Sequence, residues 1–468
     1  MCGIIGSTDK NISVGLDSIA HRGPDSRDIK SVSGFNLGHV RLSIMDTSYE
    51  SIQPYTVGDT TIVFNGCIFN FLDIKKYLSQ KYNIVFKTNG DTEVFAHLLD
   101  REDIAGLDIV QGMFAVGYVK NETLTIVRDR HGETPIHYSL LQNSLFPHFA
   151  FCSEIKGLKR LGYQNIQMLP PGSFIKYNSD NSVVKGVWYD IRQNIKRNIF
   201  KDRPSASNKL KDLVRQGTLE RTLSAVPTCS LNSGGIDSSV IAQSLSHHNS
   251  SLVSYIAVYD EKSRDLKCAR ELAEMLNINL VEVKVEPPTT HDINEIINTI
   301  EMSYKAQVEI SWACSVLAKR ISSDGFKVIL SGEGSDELLA SYGMSYHGIK
   351  EHGFEEYRIR LFGSQERKNF PRCNKIFMKY GIECRLPFLN TELVETVLGF
   401  NQDIAWDTKR RPKAVLQDAY IGLLPEQIIT RPKLAFQDGM KIKKEFENVL
   451  DKSPKIMYRE TYNKIYGV

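Results

Sequence analysis

An alternation of strand-like and helix-like segments from about residue 206 constrains this chain more than any other feature. Residues 210–225 carry a helical pattern, 227–231 a strand pattern and 238–247 a helical one. A strand at 251–258, a helix at 266–276 and a strand at 280–285 follow, then a long helical stretch to about 323 and a strand at 327–330. Strands separated by helices pair in parallel through right-handed crossovers. This half is therefore expected to be an α/β domain on a parallel sheet, with a largely helical C-terminal part. Before residue 190 the text differs. Short strand-like runs at 61–64, 113–119 and 124–127 lie between turn residues, and 91–99 reads as a helix starting near Asp91. That half is expected to be an α+β domain dominated by antiparallel sheet.

A chain of 468 residues is too long for one core, so two domains are expected, 1–190 and 206–468. Between them, 192–201 is polar and basic and reads as solvated surface, and 203–207 as a linker or helix start. Lys and Arg number 58 against 55 Asp and Glu, a net charge of +3 that gives no electrostatic case for nucleic acid or an anionic membrane as partner. No run of eighteen apolar residues is present, so no transmembrane helix is expected. The opening Met1-Cys2-Gly3-Ile4-Ile5-Gly6 has neither the basic region nor the apolar core of a signal peptide. Eight scattered cysteines without Cys-x-x-Cys spacing fit a reducing, cytoplasmic setting.

The chemistry concentrates in loops. The strand at 227–231 runs into Ser233-Gly234-Gly235-Ile236-Asp237-Ser238-Ser239 and then a helix. Two glycines let backbone approach an anion, and a helix N-terminus supplies N–H donors and a positive dipole end. Asp237 would repel bare phosphate but makes sense if it also holds Mg²⁺. No Gly-Lys-Ser/Thr follows, so this is not a Walker loop. A second loop, Ser331-Gly332-Glu333-Gly334-Ser335-Asp336-Glu337, also follows a strand. Ligands of such sheets sit beyond the carboxyl ends of strands, so the two loops can converge on one nucleotide, with Asp237 and Asp336 sharing a metal. Cys2 would carry a free α-amine after removal of Met1 and could use that amine as base, although a cysteine at position 2 means little by itself. Asn65-Gly66 can form an oxyanion pair, and Arg41 and Asp91 can grip an amino acid's carboxylate and amine.

Over nearly its whole length the chain resembles the glutamine-dependent asparagine synthetases of the B type. The first half is similar to N-terminal-nucleophile (NTN-hydrolase-like) class II glutamine amidotransferases. It matches at Met1-Cys2-Gly3-Ile4, His21-Arg22-Gly23-Pro24-Asp25-Ser26, Gly38 to Ile44, Asn65-Gly66, Asp91-Thr92-Glu93, Arg128 to Gly132 and Ser153 to Lys156. The second half is similar to the ATP-pyrophosphatase synthetase domain. It matches at both glycine loops, at Gly381 to Leu389 and at Arg431 to Gly439. The resemblance implies that Cys2 attacks the glutamine amide while Asn65 and the Gly66 N–H hold the oxyanion. Arg41, Leu42, Ser43, Ile44, Cys67 and Asp91 would complete the glutamine pocket. Ammonia would travel through an internal tunnel. ATP would adenylate a carboxylate, bound by Leu231, Ser233, Gly234, Gly235, Asp237, Ser238, Ile256, Ser331 and Gly332, with Mg²⁺ on Asp237 and Asp336. Glu333 matches the residue placed for forming and attacking the acyl-adenylate, and Lys433 would neutralise developing phosphate charge.

Departures from the family pattern bear on the substrate. Cys67 stands where the family has Glu, Leu339-Ala340-Ser341-Tyr342 replaces Phe-Gly-Gly-Tyr, and Gln417 replaces an Arg. A gap-free count from Ser331 puts Ala306-Gln307-Val308-Glu309 where asparagine synthetases bind aspartate with Thr-Thr-x-Arg. Gln307 and Glu309 are thus expected to line the acceptor pocket. A carboxylate facing a carboxylate there would disfavour aspartate and favour another acid, such as a sugar acid or a secondary-metabolite precursor. A β-lactam-forming relative would usually lack Cys2. A tRNA-modifying enzyme with the same loop would want a zinc cluster or a basic face. A non-catalytic binding module would be expected to lose Cys2, Asp237, Asp336 or Lys433, and all are present. The expected partners are glutamine, ATP and a carboxylic acid, with neither nucleic acid nor membrane; a homodimer is compatible with the sequence.

Overall fold

The computed structural model describes the chain except residues 9–10, 142–147, 408–410, 431–442, 451–452 and 468. It falls into two compact units.

The first unit comprises Met1–Asp190 with two short returning segments, Ser224–Val226 and Met378–Gly381. It is built on two six-stranded sheets whose neighbouring strands are all antiparallel. Gly3–Ser7 lies inside the first sheet, between Phe35–Arg41 and His148–Cys152. Thr60–Ile68 lies in the second, between Tyr55–Val57 and Gly112–Lys120. Successive side chains of a strand take opposite faces, and Ile4 and Ile5 show it. Ile4 joins Leu37, Val63, Ala115 and Ile126 in the core between the sheets. Ile5 instead packs outward with Leu16, Ile19 and Leu158, from the helical layer that covers the first sheet. Phe151 is the wedge of the inner core. A Cβ on Gly6 or on Gly117 would come within 2.2 Å of its ring, so both sheets need a hydrogen at that height. On the far side of the second sheet, Phe95 of helix Asp91–Glu102 stacks edge-on against Phe64 and Phe114.

The second unit comprises Ile191–Leu223, Pro227–Phe377 and Ile382–Val468. Its five-stranded sheet is wholly parallel. The order across it is Asn279–Lys284, Val253–Val258, Thr228–Leu231, Val328–Leu330 and Glu383–Arg385. In chain order that is 3-2-1-4-5, so the winding reverses between Thr228–Leu231 and Val328–Leu330. The carboxyl ends of those two strands flank the topological switch point, where doubly wound sheets bind ligands. The expected single helical stretch to residue 323 is two helices, Thr290–Ile300 and Lys305–Ser323. Glu301 ends the first in a left-handed conformation (φ 57°) that L-residues rarely sustain in a helix. The segment at 203–207 opens a helix, Arg203–Glu220, capped by the Asp202 carboxylate on the Ser205 N–H. The basic stretch before it is exposed and paired, Arg192 with Glu356 and Arg197 with Glu355. Among the described residues no helix is long and apolar enough to cross a membrane.

Candidate active sites

Cys2 precedes the central strand Gly3–Ser7 and is buried. Its N–H donates to Asn65 Oδ1 at 2.8 Å, and its sulfur accepts from the Leu42 N–H at 3.5 Å. Its carbonyl is held by Arg22 Nε at 2.9 Å. The same Arg22 reaches Glu154, which also receives His21 and Lys156. Burial alone would raise the Glu154 pKa, but Lys156, His21 and Arg22 together hold it well below the usual carboxylate range. The motifs at 21–22 and 153–156 thus form one buried ionic scaffold behind Cys2.

Asn65 faces Cys2 with unequal ends. Its Oδ1 is occupied, whereas Nδ2 is buried without a hydrogen-bond partner. An orphaned buried donor is costly and uncommon, which marks the spot as one that expects an acceptor. Gly66 follows with φ 152°, and a Cβ there would meet the Met113 carbonyl at 2.1 Å. Around this pair, Arg41 donates to the carbonyls of Ser48 (2.8 Å) and Asp46 (2.5 Å). Asp91 accepts from the Ile68 N–H at 2.9 Å. Ser43 N–H is fixed by Asp25 at 2.7 Å, Ile44 carbonyl by the Ala225 N–H, and Cys67 lies 3.6 Å from the Met45 sulfur. The 128–132 motif is structural: the Asp129 carboxylate gathers the N–H groups of His131, Gly132, Glu133 and Thr134.

In the second unit both glycine loops stand at the switch point. Gly234 (φ 67°) lies against the Asp265 carbonyl, where a Cβ would come within 2.1 Å. Gly235 is the N-cap of helix Ile236–Ser246 and offers the first-turn amides no side-chain acceptor. Ser238 Oγ braces the loop, accepting from the Ser233 N–H at 3.0 Å and donating to the Gly235 carbonyl. Gly332 of the second loop rests on the backbone of Asp237, with a Cβ landing 2.6 Å from the Asp237 carbonyl carbon. Ser331 N–H is tied to the Arg385 carbonyl at 3.0 Å. Leu231 ends its strand beside Tyr255, and the side chain of Ile256 packs into the core against Leu266 and Ala269. Lys433 lies outside the described residues.

Asp237 and Asp336 do converge, and a cation joins them. Lys413 Nζ is 2.6 and 2.7 Å from the two Asp237 oxygens and 2.5 Å from Asp336 Oδ1. Two carboxylates that close on one small cation form a hard oxygen donor set, which fits Mg²⁺ when substrate phosphates complete it. Ser341, where the family pattern has Gly, donates its hydroxyl to Asp336.

Beside this pair runs a buried polar chain that sequence reading did not find. Arg372 donates to Glu333 at 2.5 Å through Nη2, to Gln307 at 2.9 Å through Nε and to the Cys314 sulfur through Nη1. Gln307 donates to Asn369, and Asn369 and the Tyr342 hydroxyl both donate to Glu337. Burial first, then the charges of Asp336 and Glu333, pushes Glu337 up to about 7. Glu309 does not join this chain. Two residues along a helix is about 200° of turn, so it takes the face opposite Gln307. There it is buried, 3.6 Å from Lys305, and its charge acts on the Tyr458 hydroxyl. Lone Arg and Asn residues on a later helix carry no pattern, which is why Arg372 and Asn369 stayed hidden; Lys413 had no local motif either.

An antiparallel amidotransferase-type unit with Cys2 at its centre, followed by a parallel sheet with two glycine loops at its switch point, defines a two-domain amidotransferase–ligase. The chain belongs to the Asparagine synthase family, which matches residues 209–372 and 350–455, and a Glutamine amidotransferase domain matches residues 1–168. It is an enzyme of the glutamine-hydrolysing asparagine synthetase type. Similar proteins include asparagine synthetase [glutamine-hydrolyzing] 2 of Arabidopsis thaliana, 28% identical over 444 residues, covering 90% of this chain and 74% of that protein. The enzyme of Asparagus officinalis is 29% identical over 446 residues, covering 90% and 73%. Asparagine synthetase B of Escherichia coli K12 is 27% identical over 470 residues, covering 94% and 82%.

Proposed function

We propose that this enzyme releases ammonia from glutamine at Cys2 and uses ATP to amidate a carboxylic acid through an acyl-adenylate, forming AMP and pyrophosphate. The observation that carries the first half is the Asn65 amide: one end holds Cys2 and the other is a buried donor awaiting an oxyanion. Removal of Met1 turns the Cys2 N–H into an amine beside Asn65 Oδ1, poised to take the thiol proton as sulfur attacks the amide carbon. Arg41 and Asp91 orient the glutamine by its carboxylate and amine. In the second unit the amides at the start of helix Ile236–Ser246 receive phosphate oxygens. Asp237 and Asp336 are the residues that would hold Mg²⁺, whose role when bound is to neutralise the leaving pyrophosphate. Glu333 lies where the acceptor carboxyl meets the nucleotide, and Lys433 adds a further cation.

A second reading concerns the acceptor. Glu309 faces Lys305, on the side of its helix opposite Gln307. Support for a non-aspartate acid comes from the opposite face instead. Gln307 offers a neutral amide, and all three nitrogens of the adjacent Arg372 already have protein partners. Three of the five guanidinium N–H donors are thus engaged, and a spectator carboxylate would have to share the group with Glu333. The test is ATP–pyrophosphate exchange against a panel of carboxylic acids, with no glutamine present. Exchange with some acid is expected, with aspartate weaker than an acid whose second group is neutral. Exchange with none sinks the adenylation reading, and strong exchange with aspartate at millimolar concentration returns the enzyme to asparagine synthesis.

A further inference from the structure

Lys413 already holds the two carboxylates proposed to bind the metal. Its ammonium has three protons and three short oxygen contacts, two to Asp237 and one to Asp336. The side chain is buried. Its backbone is in the left-handed region (φ 64°), a conformation a lysine adopts only when its surroundings impose it. The next helix, Ala414–Ala419, is held to Arg203–Glu220 by the Ser207 hydroxyl on the Val415 carbonyl at 2.9 Å. The ammonium is thus presented from a fixed base, with a flexible four-carbon stem that can swing.

A divalent ion and this ammonium compete for those oxygens. Mg²⁺ needs its oxygens at roughly 2.0–2.1 Å, and a second cation within contact of the same carboxylates would be strongly repelled. Metal alone would also strand a buried ammonium without a partner, which is costly. A nucleotide changes the balance, because its phosphates arrive beside the same two loops and give the displaced ammonium a new anion.

We infer that Lys413 is an internal counter-cation that keeps divalent metal out of the Asp237–Asp336 pair until nucleotide binds, and then moves onto the polyphosphate. This rests on the reading of Asp237 and Asp336 as the metal pair. Metal and nucleotide must then bind with reciprocal positive coupling, and Lys413 must be its source.

Mn²⁺ titration followed by the electron paramagnetic resonance signal of free Mn²⁺ tests this on the full chain. In the wild type a non-hydrolysable ATP analogue should tighten Mn²⁺ binding by about tenfold or more beyond what the analogue alone binds. Lys413→Met should bind Mn²⁺ without nucleotide about tenfold or more tightly than wild type, and the coupling should collapse. Wild-type Mn²⁺ affinity that is equal with and without the analogue overturns the inference without any variant, which covers the case in which Lys413→Met fails to fold. Unchanged nucleotide-free affinity in a folded Lys413→Met overturns it too. If instead Asp336→Asn leaves Mn²⁺ binding in the presence of the analogue intact, the metal-pair reading itself fails.

Discussion

At the scale of single residues, the structure brings some of the sequence-predicted groups together and adds others that no pattern announced. Asn65, Asp237 and Asp336 were legible because each sits beside glycines in a motif whose residue types make sense together, whereas Cys2 drew its proposed role from the family resemblance. Arg372 and Lys413 were not, because a lone cation on a helix or turn gives no signal until the fold brings it to a carboxylate. Glu309 shows the complement: counting along a sequence finds the position, and only the fold shows that it turns toward Lys305. Glu337 is the most informative single titrating group. Its Oε1 accepts from Asn369 and Tyr342, while Oε2 is buried without a partner. Its pKa rises from 4.5 to about 7 on folding, chiefly through burial. Below pH 4.5 the acid is protonated in folded and unfolded chains alike and costs nothing. Between about 4.5 and 7 the unfolded chain releases the proton and the folded chain keeps it, so stability falls as pH rises, and it levels off above 7. The accumulated penalty at neutral pH is about 3 kcal/mol. Glu337→Gln should therefore lose less stability than wild type between pH 5 and pH 7.5, measured by urea unfolding of the two proteins at both pH values. Parallel pH profiles would show that Glu337 is ionised in the fold after all.

At the scale of elements, period and turn chemistry located the first four parallel strands to within a residue or two of their ends. The fifth was missed, and the reason is physical. Glu383–Arg385 is three residues long and places Glu383 and Arg385 on one face, where they form a buried pair at 2.6 Å. Alternation needs a longer run to be seen, and a charged strand looks like a loop. The glycines of the two loops were legible as permissive, but their purpose differs. Gly332 has an ordinary backbone and is there for space, since the second loop lies directly on Asp237. The atoms a Cβ would meet are a carbonyl carbon at 2.6 Å and the Ser238 nitrogen at 2.8 Å, and backbone cannot rotate aside. Gly332→Ala must push the loops apart and with them the two aspartates. A misplacement of about 1 Å at such a site costs on the order of a hundredfold in rate. Pyrophosphate exchange should fall by that order, with glutamine hydrolysis as the internal control. Exchange within about twofold of wild type would mean that the loops do not act as one site.

At the scale of the whole molecule, the two proposed chemistries fall in two compact units, the first built on two sheets and the second on one. Changes at sites without shared partners act independently to a good approximation, so damage to one reaction should leave the other standing. Cys2→Ala removes the nucleophile but leaves the hydrogen bond from the residue-2 N–H to Asn65, so the first unit should fold as before. Glutamine-dependent product should drop by roughly a thousandfold or more, because a covalent route has no substitute, while product from added ammonium should stay near the wild-type rate. Asp237→Asn should do the converse. It takes charge from the oxygen set that Lys413 holds, and the amide that replaces it is a poorer ligand for a hard cation. Pyrophosphate release should fall by about a hundredfold or more while glutamine hydrolysis survives. Both rates are measured on the full chain, as glutamate released from glutamine and pyrophosphate released with ammonium as the nitrogen source. A Cys2→Ala enzyme that still draws nitrogen from glutamine at near the wild-type rate would sink the glutaminase assignment. One that has lost its ammonium-dependent rate as well would mean that Cys2 serves the synthetase reaction too, and that the two units are not chemically separate.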